Sequence, residues 1–150
     1  MKQSFGMDLH GDLKVAARGI NRPQLLMLFS NKEQFETHVR ELAQMFPGVP
    51  SIGCIGMSYD TAIAEKGVGV IALSDGILAA ANVLEQVSSM PVKYIKRLEE
   101  DVKAVNASSE NTVCIDFCTG NDACALIHSA VHRYFSGISG SAYQRDLSLF

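Results

Sequence analysis

Residues 24–54 read QLLMLFSNKEQFETHVRELAQMFPGVPSIGC, and how this stretch folds decides the architecture. Gln24 to Phe29 is a continuous apolar run between Pro23 and Ser30, the pattern of a strand buried on both faces. Glu33 follows Ser30 at capping-box spacing, which starts a helix by satisfying its first free N–H groups. The spacing predicts a helix from Asn31 to about Phe46, with Phe35, Val39, Leu42 and Phe46 as its buried stripe. Pro47-Gly48 ends it. Val49 to Cys54 is a second apolar run. Strand, helix and strand in about 30 residues make a βαβ unit, so the two strands are expected to be parallel.

Working outward, residues 57–64 and 68–74 are two short runs around Glu65-Lys66-Gly67 and read as a β-hairpin. Ser74-Asp75-Gly76 is a turn, and 77–85 is read as a third antiparallel strand. Pro91 suits a first helical turn, and Val92, Ile95, Leu98, Val102 and Val105 mark the stripe of a helix running to Asn106. Thr112 to Cys118 is another apolar strand. A helix follows from Thr119 to about Tyr134, and Ile138 to Tyr143 is a last short strand. Residues 1–22 are weakly patterned and read as an N-terminal arm, with a short helical turn within Asp12 to Gly19. The expected class is α/β: a mixed, partly parallel sheet with helices packed on it, in the order β-α-β-β-β-α-β-α-β.

Composition narrows the function. The 150 residues suit one domain, and 47% apolar with 19% charged residues is enough to build a core. A net charge of −3 argues against a nucleic-acid module, which needs a basic face. No apolar run is long enough for a membrane span, and Met1 to His10 lacks the apolar core of a signal peptide. Cys54, Cys114, Cys118 and Cys124 are expected to be free thiols in a reducing cytoplasm.

In open α/β sheets ligands bind beyond the carboxyl ends of parallel strands. Here those ends carry small residues: Ser30, then Gly53 to Gly56, then Cys118 to Asn121, then Ser139 to Ala142. Ser30 and Thr119 also stand at expected helix N-termini, where free N–H groups favour an acidic group. Strand alternation puts Asp116 on one face with Cys114 and Cys118. A carboxylate inside an apolar strand needs a partner, and a ligand ammonium group would serve. The candidate ligand-binding residues are therefore Ser30, Cys54, Ile55, Gly56, Met57, Ser58, Asp116, Thr119, Gly120, Asn121, Gly140, Ser141 and Ala142. Cys124, His128 and His132 align on one helix face, but no further ligand completes a metal set, so a structural role is expected. There is no GxSxG, no P-loop and no GxGxxG, and no catalysis is expected.

An ordered series of short motifs runs from Pro23 to Tyr143: LLMLFS, FPGVPSIGC, GVGVIALSDGILAAANVLE, VCIDFCTGND and GISGSAY. This series resembles the N-terminal half of the FIST sensory domain, a bacterial signal-transduction module. The chain departs from the family where Ile55 to Tyr59 replace Thr-Thr-Ala-Gly-Glu, where Cys118-Thr119-Gly120 replace an Asp-Gly, and where Ser139 replaces one glycine of a Gly-Gly pair. The resemblance implies a domain over 23–150 that lacks the family's C-terminal half. It would be a cytoplasmic sensor of a small polar ligand such as an amino acid, feeding a C-terminal output domain such as a chemotaxis region. No cofactor is expected. The alternatives are a haem-binding nitric oxide sensor on the same fold, with no histidine singled out by the sequence, and an assembly module that forms a homodimer through its C-terminal edge strand.

Overall fold

The computed structural model describes residues 1–56, 58–59, 62–84, 95–108, 110–115 and 117. The chain divides into two compact units, Met1–Asn82 and Val83–Phe150.

In the first unit the elements run β1 (Lys2–Asp8), α1 (Leu13–Ala16), β2 (Leu25–Ser30), α2 (Phe35–Met45), β3 (Ser51–Ile55), β4 (Ser58–Tyr59), β5 (Ala62–Ile63) and β6 (Val68–Ser74). Four strands form one sheet in the order β1-β6-β2-β3. β2 and β3 are parallel, as expected of the βαβ stretch. β6 is antiparallel to both β1 and β2. The sheet is therefore mixed and partly parallel, with helices packed on it, and the fold is α/β.

Three local expectations are corrected. Residues 2–8 are not an arm: all seven pair with β6 from Lys2↔Ser74 to Asp8↔Val68. The run 68–74 does not form a hairpin with 57–64. β4 and β5 make a separate two-stranded ribbon, and β6 is inserted between β1 and β2. Burial explains the choice. Val68 and Val70 are 0% exposed and Ala72 is 2%, and a strand with so much apolar surface gains most with a neighbour on each side. Residues 77–84 are not a strand. Asp75 and Gly76 both take positive φ, 60° and 81°, and turn the chain out of the sheet. Leu78 and Val83 are exposed beyond that turn, so this run lacks the sheet neighbours that would make it a strand.

The core lies between the sheet and α1 with α2. Leu13, Ala16, Leu26, Leu28, Leu42, Val68, Val70 and Ala72 form it, and Ile20, Phe35, Phe46 and Val49 pack against its rim. α1 approaches β1 closely at Gly6, where a Cβ would collide with the Ala16 carbonyl. α2 differs from its expected stripe at one position. Val39 is 43% exposed, and His38 is turned inward in its place.

In the second unit, α3 spans Ile95–Ala104, within the helix expected over 91–106. Leu98, Val102 and Val105 are half-buried. Of the expected strand 112–118, Cys114 makes an isolated bridge, and residues 112, 113, 115 and 117 carry no strand. The helix expected from Thr119 and the last strand lie outside the described residues.

Candidate functional site

The strand register brings four ends together at one edge of the first unit's sheet. Asp8 of β1 faces Val68 of β6, Val68 faces Ser30 of β2, and Ser30 faces Ile55 of β3. The carboxyl ends of β1, β2 and β3 thus share this edge with the amino end of β6. Three connections rise from it: 8–12 into α1, 31–34 into α2, and 64–67 into β6.

Side chains tie these connections to one another. His38, 2% exposed, reaches from α2 to Ser30 Oγ with Nδ1 at 2.7 Å and to the Gly11 carbonyl with Nε2 at 3.0 Å. A carbonyl only accepts, so Nε2 carries the proton; in the neutral ring Nδ1 then accepts from the Ser30 hydroxyl. The Asn31 carbonyl, 3.2 Å from Ser30 Oγ, is the alternative acceptor for the hydroxyl's single proton. Asn31 Nδ2 donates to Gln34 Oε1 and the Lys66 carbonyl, both at 3.0 Å, and its Oδ1 accepts from the Gln34 N–H at 2.9 Å. Gly11 has φ +88°, and a Cβ there would meet Gln34 Oε1 at 2.5 Å and the Lys66 carbonyl at 2.6 Å, so only glycine fits.

Asp8 and Asp12 shape the first connection. Asp8 accepts from the Asp12 and His10 N–H groups at 2.8 and 2.9 Å. The Asp12 N–H bond is the main cause that holds the Asp8 carboxyl below its ordinary range, with a further contribution from His10. Asp12 caps α1 by accepting from the Lys14 and Val15 N–H groups. Among the described residues no buried side-chain nitrogen or oxygen lacks a partner.

Of the residues expected to bind ligand, the structure brings Ser30, Cys54, Ile55 and Gly56 together. Phe29 is paired with Cys54 and Ser30 with Ile55, and the Gly56 N–H donates to the Ser30 carbonyl at 2.9 Å. Ser30 itself is 0% exposed and its hydroxyl is engaged inside. It supports the edge from beneath, with its hydroxyl turned to the interior. Ser30 does not cap the helix: α2 begins at Phe35 with Gln34 at its N-cap and no side-chain cap bond, and Asn31 Oδ1 instead accepts from the Gln34 N–H in the turn that leads into it. Ile55 is exposed, and a Cβ on Gly56 would touch little more than the Phe29 Cβ, at 3.9 Å. Burial pushes the Cys54 thiol above its ordinary value, which keeps it protonated and a poor nucleophile at neutral pH. Ser58 lies in β4. Met57, Asp116, Thr119, Gly120, Asn121, Gly140, Ser141 and Ala142 lie outside the described residues, as do Cys124, His128 and His132.

A buried serine against a histidine resembles a nucleophile with its base, but this pair has no route to solvent and acts as a clasp between β2, α2 and the 8–12 connection. With both ring nitrogens engaged, His38 offers none to a haem iron. Among the described residues no three His, Cys, Asp or Glu side chains gather as a metal site, and no helix is long and apolar enough to cross a membrane. At the opposite edge of the sheet lies an open cavity of about 360 Å³, lined by Lys2, Asn21, Arg22, Ser74 and Asp75 among others. Lys2 and Asp75 are already paired there at 2.9 Å.

Sequence reasoning missed His38, Asn31 and Gly11. Two signals were present. His38 lies one turn before Leu42 and so shares its face, and Asn31 precedes Gln34 at the spacing of an Asn cap on a third N–H.

Fold and site together define an α/β protein with a mixed four-stranded sheet whose connections are clasped at one edge. No family model matches the chain, and no curated protein or solved structure matches it.

Proposed function

We propose that the chain is a cytoplasmic sensory input domain of the FIST type, which binds a small polar molecule such as an amino acid and passes the signal to an output domain. One observation carries this reading: the parallel pair β2–β3 ends in Ser30 and in Ile55-Gly56 side by side, where α/β proteins bind ligands and where the motif series has its Ser and Gly-Cys. The His38 clasp supports it, because a rigid floor lowers the ordering cost of binding. The ligand contacts the Cys54–Gly56 rim. The reaction is binding without chemistry, and it signals by favouring one of two conformations for which the ligand has different affinity.

The test is a thermal-shift screen of amino acids and small carboxylic acids at millimolar concentration, since a ligand that binds only the folded state raises its midpoint. The reading expects a saturable rise that Gly56→Phe abolishes while the unliganded midpoint holds. No rise with any compound rejects it.

A further inference from the structure

We propose that β1 is a self-pairing edge, through which two copies of this chain join antiparallel and extend their sheets into one. Among the described residues β1 is the outer strand of its sheet, paired only to β6. Such an edge presents a row of backbone N–H and C=O groups that templates pairing with another strand. Two of the usual protections are missing from it: β1 holds no proline, and its seven-residue register with β6 runs without a bulge. Phe5, at its middle, is 49% exposed.

The occupant follows from the sequence of β1. A two-fold axis through Phe5 makes the strand its own partner, as a two-fold interface requires. Phe5 then faces Phe5 of the second copy, Gln3 faces Met7, Ser4 faces Gly6, and Lys2 faces Asp8. The strand carries one charge of each sign, at opposite ends, and this register sets each against its opposite. Moving the axis by one residue to Ser4 puts Lys2 against Gly6 and leaves both charges unmatched. Lysine on an edge ordinarily repels a second strand; here it meets a carboxylate. Lys2 also holds Asp75, but an ammonium has three donors, and a carboxylate has about four acceptor sites. The central Phe5 pair adds an aromatic contact between directly opposed positions.

The experiment uses the full chain. Sedimentation across a concentration series is expected to show a monomer–dimer equilibrium. Directly opposed residues lie about 4.5–5.5 Å apart, within the roughly 4.4–6.8 Å that a disulfide spans. Phe5→Cys is therefore expected to cross-link, at least about tenfold faster than Gln3→Cys, because pairing makes the reaction effectively intramolecular. Gln3→Cys faces Met7 and gains no opposing thiol. Peptide mapping separates the introduced thiol from Cys54, Cys114, Cys118 and Cys124. Lys2→Glu is expected to weaken the dimer and to change the thermal midpoint little at dilutions where the chain is monomeric, since the exposed Lys2–Asp75 pair contributes little. It decides the matter if Phe5→Cys fails to fold, because Lys2 is 80% exposed. A monomer at every concentration overturns the proposal. So does a dimer that Lys2→Glu leaves intact, or one in which both thiols cross-link equally, since another surface or another partner would then be in use.

Discussion

On the helix side of the sheet, Leu26, Leu28, Val68 and Val70 are at most 2% exposed; on the other side, in the adjoining rows, Leu25, Phe29, Ile71 and Leu73 are only half-buried and Phe5 is exposed. The register puts Phe5, Ile71, Met27 and Ile52 in one row across that second side, and of these four Met27, at 9% exposed, is the buried one. Both sides are apolar, so residue type does not separate them. What separates them is α1 and α2, whose core residues Leu13, Ala16 and Leu42 close the first side. Those helices start from the clasped edge, α1 capped by Asp12 and α2 fastened by His38. The comparison teaches that the burial of this core depends on polar contacts at one end of the sheet.

Leu28→Ala probes the closed side most directly. It is expected to cost about 2–5 kcal/mol, transfer loss plus cavity, read from urea unfolding. His38→Ala comes next. It leaves the Gly11 carbonyl without its donor and loosens both helices from the sheet, at a cost of about 2–3 kcal/mol, with α1 amides exchanging faster in hydrogen-exchange experiments. Ile71→Ala, on the half-buried side, is expected to cost about 1 kcal/mol, in proportion to the smaller area it hides from water; a cost equal to that of Leu28→Ala would break the comparison. Asp12→Ala removes the α1 cap and is expected to cost about 1 kcal/mol.

The smallest effect concerns pH. The folded state holds the Asp8 carboxyl below its ordinary range, so the unfolded chain takes up that proton at higher pH than the folded one does. The Asp8 contribution is full above the unfolded carboxylate range and is lost as the pH falls through the depressed folded value. Asp8→Asn is expected to flatten the acid side of the stability curve and leave its neutral slope unchanged. A parallel acid limb in the variant would show that Asp8 does not report on the 8–12 connection.

Much of the fold was legible because its signals are local. The apolar runs of β2, β3 and β6, the helical spacing of Phe35 and Leu42, and the Pro47-Gly48 stop each act within a few residues. The helical crossover between them then made β2 and β3 parallel without knowledge of anything else. The edge strand β1 was not legible. Its sequence, KQSFGMD, alternates weakly and includes a glycine that only the approach of Ala16 explains. Of the candidate site, the strand ends carried by Cys54, Ile55 and Gly56 were visible as small residues at a chain reversal. The clasp was not, because His38 and Gly11 are far apart in sequence and meet only once α2 has packed.

By itself, then, the sequence determined which segments are strands and helices in the βαβ core, the parallel pairing of β2 with β3, and the α/β class, since periodicity, caps and breakers act over one or two turns of chain. Only the tertiary structure decided that β6 lies between β1 and β2 in preference to a hairpin with 57–64, that residues 77–84 leave the sheet, and that His38 faces inward where Val39 was expected. Each of these is a competition between distant partners. β6 gains most where both its edges are paired and its valines are covered, and an imidazole can be buried only where two partners for its ring nitrogens, here Ser30 and the Gly11 carbonyl, are waiting.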